Sequence, residues 1–109
     1  AVEAVGELLR GWKALCDEAK QESLTAQEAI TQLRCHVEYA REQAGRANPH
    51  EQLVGALCEL APPRSGRLPE PGPLGYVLRR YKRRVVGGLM LEPVQVRDHR
   101  TAWAVRSER

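Results

Sequence analysis

The sequence predicts an α+β fold, mainly α with a small β-hairpin at its C-terminal end. Apolar residues recur at three- and four-residue spacing up to residue 61 and again from Leu74 to Tyr81, the period shortens to two after Arg84, and Pro- and Gly-rich stretches separate the periodic segments. A chain of 109 residues lies in the size range of one domain, so a single core over residues 1–109 is expected. Its 42% hydrophobic and 28% charged residues argue against wholesale disorder.

The leading helix covers 1–20, where Val5, Leu8, Leu9, Trp12, Leu15 and Cys16 share one face. No capping residue precedes it, so it is expected to start in mid-helix or to continue a longer chain. Ser23, Leu24 and Thr25 break the pattern, and Thr25 with Glu28 forms a T-x-x-E capping box, the signature of a new helix start. The helical core, 25–61, holds two helices. The first buries Ala26, Ala29, Ile30, Leu33, Val37 and Ala40 and stops at Gly45, Asn48 and Pro49; the second, about 50–61, buries Leu53, Val54, Ala56, Leu57 and Leu60 and is stopped by Pro62 and Pro63.

Residues 62–72 read as a loop. A fourth helix is expected over 71–83, with proline in its first turn, where backbone amides lack intrahelical partners anyway. Leu74, Val77, Leu78 and Tyr81 make its core stripe, and Tyr76, Arg79, Arg80, Lys82 and Arg83 lie off it. Over 84–106 two strands are indicated by a period of two, with Val85, Val86, Leu89, Leu91, Val94 and Val96 and then the run at 101–106. Residues 92–100 form the polar tip between them, Gly87 and Gly88 mark a bend, and Trp103 and Val105 close the core. Helices, the last of them basic, followed directly by a hairpin, give the element order of a winged helix-turn-helix, with 71–83 as recognition helix and 84–106 as wing.

Charge is divided along the chain. Residues 1–61 carry six Lys and Arg against ten Asp and Glu, net −4, and residues 62–109 carry eleven against four, net +7. The partner this suggests is a polyanion met by the C-terminal half, either duplex or single-stranded DNA. A helix fits the major groove, and Arg and Lys reach phosphates or the acceptor edge of guanine. Arg79, Arg80, Lys82, Arg83 and Arg84 are the candidate contacts, with Arg97 and Arg100 at the wing. The bland alternative is a solvated helix face; against it, no acidic residue occurs from Pro71 to Leu91, where a face built only for solubility would mix signs. Tyr76 either contacts the nucleic acid or covers the core edge, and Arg97, His99 and Arg100 either touch DNA or merely solvate a hairpin tip.

The runs Gly66-Arg67-Leu68-Pro69, Leu74-Gly75-Tyr76-x-Leu78-Arg79-Arg80, Arg84-Val85-Val86-Gly87-Gly88-Leu89-x-Leu91 and Trp103-Ala104-Val105 together resemble the C-terminal winged-helix domain of phage and mobile-element primase-helicases. The resemblance covers roughly 50–106, with weaker agreement over 5–35. It implies a DNA-binding appendage of a replication protein, in the cytoplasm of a prokaryotic cell or infected host, whose motor and primase parts lie elsewhere. A module of another class, for protein–protein interaction or oligomerisation within a replication complex, is the rival.

No enzyme is expected: there is no phosphate loop G-x-x-x-x-G-K-[ST], no H-E-x-x-H and no nucleophile elbow. Neither a cofactor nor a small-molecule substrate is implied. Cys16, Cys35 and Cys58 read as buried reduced thiols. A metal site with His36, His50 or His99 is not expected, because no spacing puts two ligands on one turn. Neither a membrane span nor an export signal is expected.

Overall fold

A computed structural model of the chain describes residues 2–42, 50–63, 68–97 and 99–107. The elements run α1 (Val2–Ala19), β1 (Leu24–Thr25), α2 (Ala26–Glu42), α3 (Glu51–Leu60), α4 (Pro71–Arg80), β2 (Val85–Val86), β3 (Leu89–Arg97) and β4 (Arg100–Ser107). The fold is α+β, with four helices and an antiparallel four-stranded sheet in the order β1-β4-β3-β2. The sheet is therefore larger than the expected hairpin.

α1 buries the stripe its sequence announces, from Val5 through Leu8, Leu9, Trp12 and Leu15 to Cys16. The indole N–H of the fully buried Trp12 donates to the carbonyl of Trp103 at 3.0 Å, which fixes α1 against the centre of β4 and satisfies a polar atom that burial would otherwise leave orphaned. The helix ends without glycine. Lys20 turns to φ 55°, its N–H bonds to Asp17, and the N–H of Gln21 reaches back to Cys16, which satisfies two terminal carbonyls.

The capping box forms as the sequence indicates. The Thr25 N–H donates to Glu28 at 2.8 Å and the Glu28 N–H to the Thr25 hydroxyl at 3.1 Å. Leu24 and Thr25 also pair with Trp103 and Ala102, so the break between the first two helices is itself a strand. From α2 come Ala29, Ile30 and Leu33, and from α3 come Leu53, Ala56 and Leu57. The expected stop of α2 at Gly45, Asn48 and Pro49, and the side chain of Ala40, lie outside the described residues.

Pro71 opens α4, and Leu74 and Leu78 are its fully buried residues, with Val77 and Tyr81 half-buried beside them. The helix ends at Arg80 rather than at 83. Arg83 adopts φ 61° and its N–H donates to the carbonyl of Leu91 at 2.7 Å, so a bond to the sheet replaces the next helical turn. Gly87 and Gly88, at φ 60° and 78°, form the two-residue loop of a tight hairpin between β2 and β3 that only glycine enters without strain. Residues 92–97 continue β3 rather than making a loop. Pro93, which has no N–H to give a ladder, sits at a register shift between Pro93 and Gln95.

Leu24, Leu91 and Trp103 join the helices' buried residues in one apolar cluster. Of the three cysteines only Cys16 is buried; Cys35 is exposed and Cys58 half-buried, because the α2 stripe passes beside position 35 rather than through it. Among the described residues no helix is long and apolar enough to cross a membrane.

Candidate functional site

The buried stripe of α4 dictates what its other face presents. With Leu74 and Leu78 turned inward, Tyr76, Arg79 and Arg80 face outward, and Tyr76 is 76% exposed. It does not cover the core edge. Lys82, Arg83 and Arg84, expected on the helix or just after it, are exposed in the turn between α4 and β2. The basic run is thus split between a helix face and a turn.

The two parts are joined by Tyr81. Its ring carries the guanidinium of Arg84 at 5.5 Å and that of Arg80 at 5.9 Å from the centroid, both within cation–π range. Sequence reading assigned Tyr81 to the core stripe; half of it is there, and the rest is a platform that holds two arginines near one another. Periodicity sees only the buried half.

On the other side, α4 and the tip of the β3–β4 hairpin bound a cleft of about 400 Å³ with Tyr76, Arg79, His99 and Arg100 on its walls and Trp103 and Gln27 beside them. Arg100 donates to the side-chain oxygen of Gln27 at 3.5 Å, a long contact that ties the hairpin tip to the start of α2. Arg97 pairs with Arg100 in the ladder, but its side chain lies outside the described residues. From Arg100 through Arg79, Tyr76 and Arg80 to Arg84 the surface is continuous across the cleft, a second shallow hollow lined by Tyr76, Arg79 and Arg80, and the Tyr81 ring.

None of Arg79, Arg80, Lys82, Arg83, Arg84 and Arg100 forms an ion pair among the described residues. Elsewhere Arg10 and Arg106 are neutralised, while Lys13, Lys20 and Arg34 on the helical side likewise form no ion pair among the described residues. Arg106 reaches Glu22 and Glu92, each at 2.8 Å, and Arg10 reaches Glu7 at 2.7 Å. Such a surface leaves positive potential undissipated and suits an anionic ligand.

A second polar cluster lies on the helical side. Sequence spacing offered no metal-ligand pair, yet the fold brings together Glu18, His36 and His50 from three different segments. The His36 ring nitrogen meets one oxygen of Glu18, and His50 meets the other at 2.7 Å. Neighbours on a single turn are legible in a sequence; convergence between helices is not.

Neither family models, nor curated proteins, nor solved structures yield a match to this chain.

Proposed function

We propose that the chain is a non-catalytic winged helix-turn-helix that binds DNA through α4, the turn after it and the β3–β4 hairpin as wing. The observation that carries this reading is the continuous surface from Arg100 through Arg79 and Arg80 to Arg84 around the exposed Tyr76, with Lys82 and Arg83 exposed in the adjoining turn and none of the six cations ion-paired among the described residues. The order α1-β1-α2, then further helices, then a hairpin whose last strand pairs with β1, supports the winged-helix assignment. In this reading Arg79 and Arg80 enter a groove or follow its phosphates, Lys82, Arg83 and Arg84 grip the adjoining backbone, and Arg100 reaches the strand beyond the cleft. Arg97, next to the tip, remains part of the proposed wing. The resemblance of residues 50–106 to primase-helicase tails supports a place in replication, where the module holds DNA for a tethered motor or primase.

The test is a fluorescence-anisotropy titration of a labelled 20-base-pair duplex and its single strand, roughly ten nucleotides per helical turn, with wild type and an Arg80→Ala, Arg83→Ala double variant. Binding that weakens in the variant, and in wild type as salt rises, is expected, and the duplex-to-strand ratio identifies the form gripped. Absence of binding to both forms at low salt overturns the reading and favours an acidic protein as the partner of the same surface.

A further inference from the structure

The Glu18, His36 and His50 cluster owes its position to the way three helices end or pass. Glu18 lies in the last turn of α1, just before the left-handed Lys20. His36 follows Leu33 by three positions, so it extends the inward stripe of α2 by one turn, and it is half-buried. His50 precedes α3, its carbonyl accepts the first helical bond from Val54, and its side chain is only 6% exposed. One candidate ligand atom from each residue lies within 4.8 Å of the other two.

The arrangement has an outer layer. Gln32 donates to the Glu18 carboxylate at 3.2 Å and to the carbonyl of Leu15 at 3.3 Å, which orients the acid from α2. The two imidazoles stand edge to face, 4.7 Å between centroids and 69° between planes, with both Nε2 atoms directed at the carboxylate. Two imidazole nitrogens and a carboxylate oxygen are the donor set that borderline divalent ions take, and a hydrogen bond to the ligating carboxylate, here from Gln32, is a common outer-layer feature of such sites.

The geometry points to a divalent transition-metal site, zinc by ligand class, formed by His36 Nε2, His50 Nε2 and a Glu18 oxygen at the junction of α1, α2 and α3. Metal–ligand bonds of about 2.0–2.2 Å in a tetrahedron separate ligand atoms by roughly 3.4 Å. The present separations bracket that figure, 2.7 Å for the His50–Glu18 contact and up to 4.8 Å across the group, so rotamer adjustments suffice without moving a helix. On binding, each ring passes from the Nε2–H to the Nδ1–H tautomer, and the ion replaces the two protons that the carboxylate accepts in the hydrogen-bonded cluster. Water completes the fourth position. The ion would tie the end of α1 and the start of α3 to α2.

The experiment titrates chelator-treated full chain with Co2+, followed by visible absorption, and with Zn2+, followed by calorimetry. About one equivalent is expected to bind, with tetrahedral d–d bands and no thiolate charge-transfer band. His36→Ala and Glu18→Gln, both at partly exposed positions, are each expected to weaken binding tenfold or more while retaining the wild-type circular dichroism. A third readout is the zinc-dependent rise in melting temperature, present in wild type and lost in both variants. No saturable binding, equal binding by wild type and variants, or a thiolate band from the cysteines overturns the proposal.

Discussion

Glu18 and Tyr81 each do more than their positions in a helical pattern announce. The carboxyl of Glu18 is lowered from the ordinary 4.5 to about 2, first by the hydrogen bond from His36, against the opposing effect of desolvation, and then by the hydrogen bond and charge of His50 and by Gln32. A folded-state value below the unfolded one means stability that is present in full above about pH 4.5 and lost as the pH falls towards 2. Because the side chain is 41% exposed, solvent screening reduces the effect well below what the shift alone would give. Urea midpoints measured with chelator present should therefore show wild type more stable than Glu18→Gln at pH 7, with the gap closing between pH 4.5 and 2. A gap that stays constant over that interval would show that the carboxylate charge is not the source. Tyr81→Leu keeps the half-buried apolar contact and removes the platform under Arg80 and Arg84. Each cation–π contact is worth about 0.5–1 kcal/mol at an exposed site, so duplex affinity should fall by up to roughly five- to thirtyfold for the pair, with the salt dependence unchanged because the same cations remain.

Elements whose boundaries are set by local chemistry were legible in the sequence, and those set by distant partners were not. The start of α2 rests on Thr25 and Glu28, three residues apart, and could be read directly. β1 exists only because Leu24 and Thr25 meet Trp103 and Ala102, a pairing that no window around residue 24 contains. The same holds for the end of α4, decided by the bond from Arg83 to Leu91; for β3 the alternation through Val94 and Val96 was legible, whereas its register with β4 past Pro93 was not. The basic residues of the candidate site were legible as a run, but their division by Tyr81 and their meeting with Arg100 across a cleft depend on those distant pairings. Helix packing makes a prediction that intrinsic propensity alone gets wrong. A Cβ added at Gly11 in α1 would stand 2.6 Å from the Cβ of the buried Leu53 in α3, whereas one added at Gly55 in α3 meets nothing within 4 Å. Either change to alanine improves helix propensity by about 0.8–1 kcal/mol. At Gly55 that gain stands, so Gly55→Ala should raise the melting temperature by several degrees, about 4–8 °C per kcal/mol for a domain near this size. At Gly11 overpacking costs about 1–3 kcal/mol and outweighs it, so Gly11→Ala should lower the melting temperature. Opposite signs in a single thermal-unfolding comparison are the expected outcome, and two shifts of the same sign would mean that α1 and α3 do not approach as closely as Gly11 requires.

Over the whole molecule the net charge of +3 understates what a polyanion would meet, and the +7 of residues 62–109 overstates it. Arg106 belongs to that half, yet it is held by Glu22 from the acidic half and by Glu92, so its charge is spent within the fold. The cations left without described acidic partners on the candidate surface are Arg79, Arg80, Lys82, Arg83, Arg84 and Arg100. If each of these neutralises one phosphate, counterion release gives a slope of log affinity against log salt of about −5 on duplex DNA. Counting all eleven Lys and Arg of residues 62–109 would give about −10, far enough away for an ordinary titration to separate the two. Arg79→Ala and Arg84→Ala should each make the slope shallower by about one, whereas Arg106→Ala should leave it unchanged and instead reduce stability slightly, as expected for loss of an exposed ion pair. Anisotropy titrations at four salt concentrations for these three variants distinguish a localised surface from diffuse attraction. Diffuse attraction to the basic half would make all three substitutions equivalent, because each removes one positive charge from the same 48 residues of sequence.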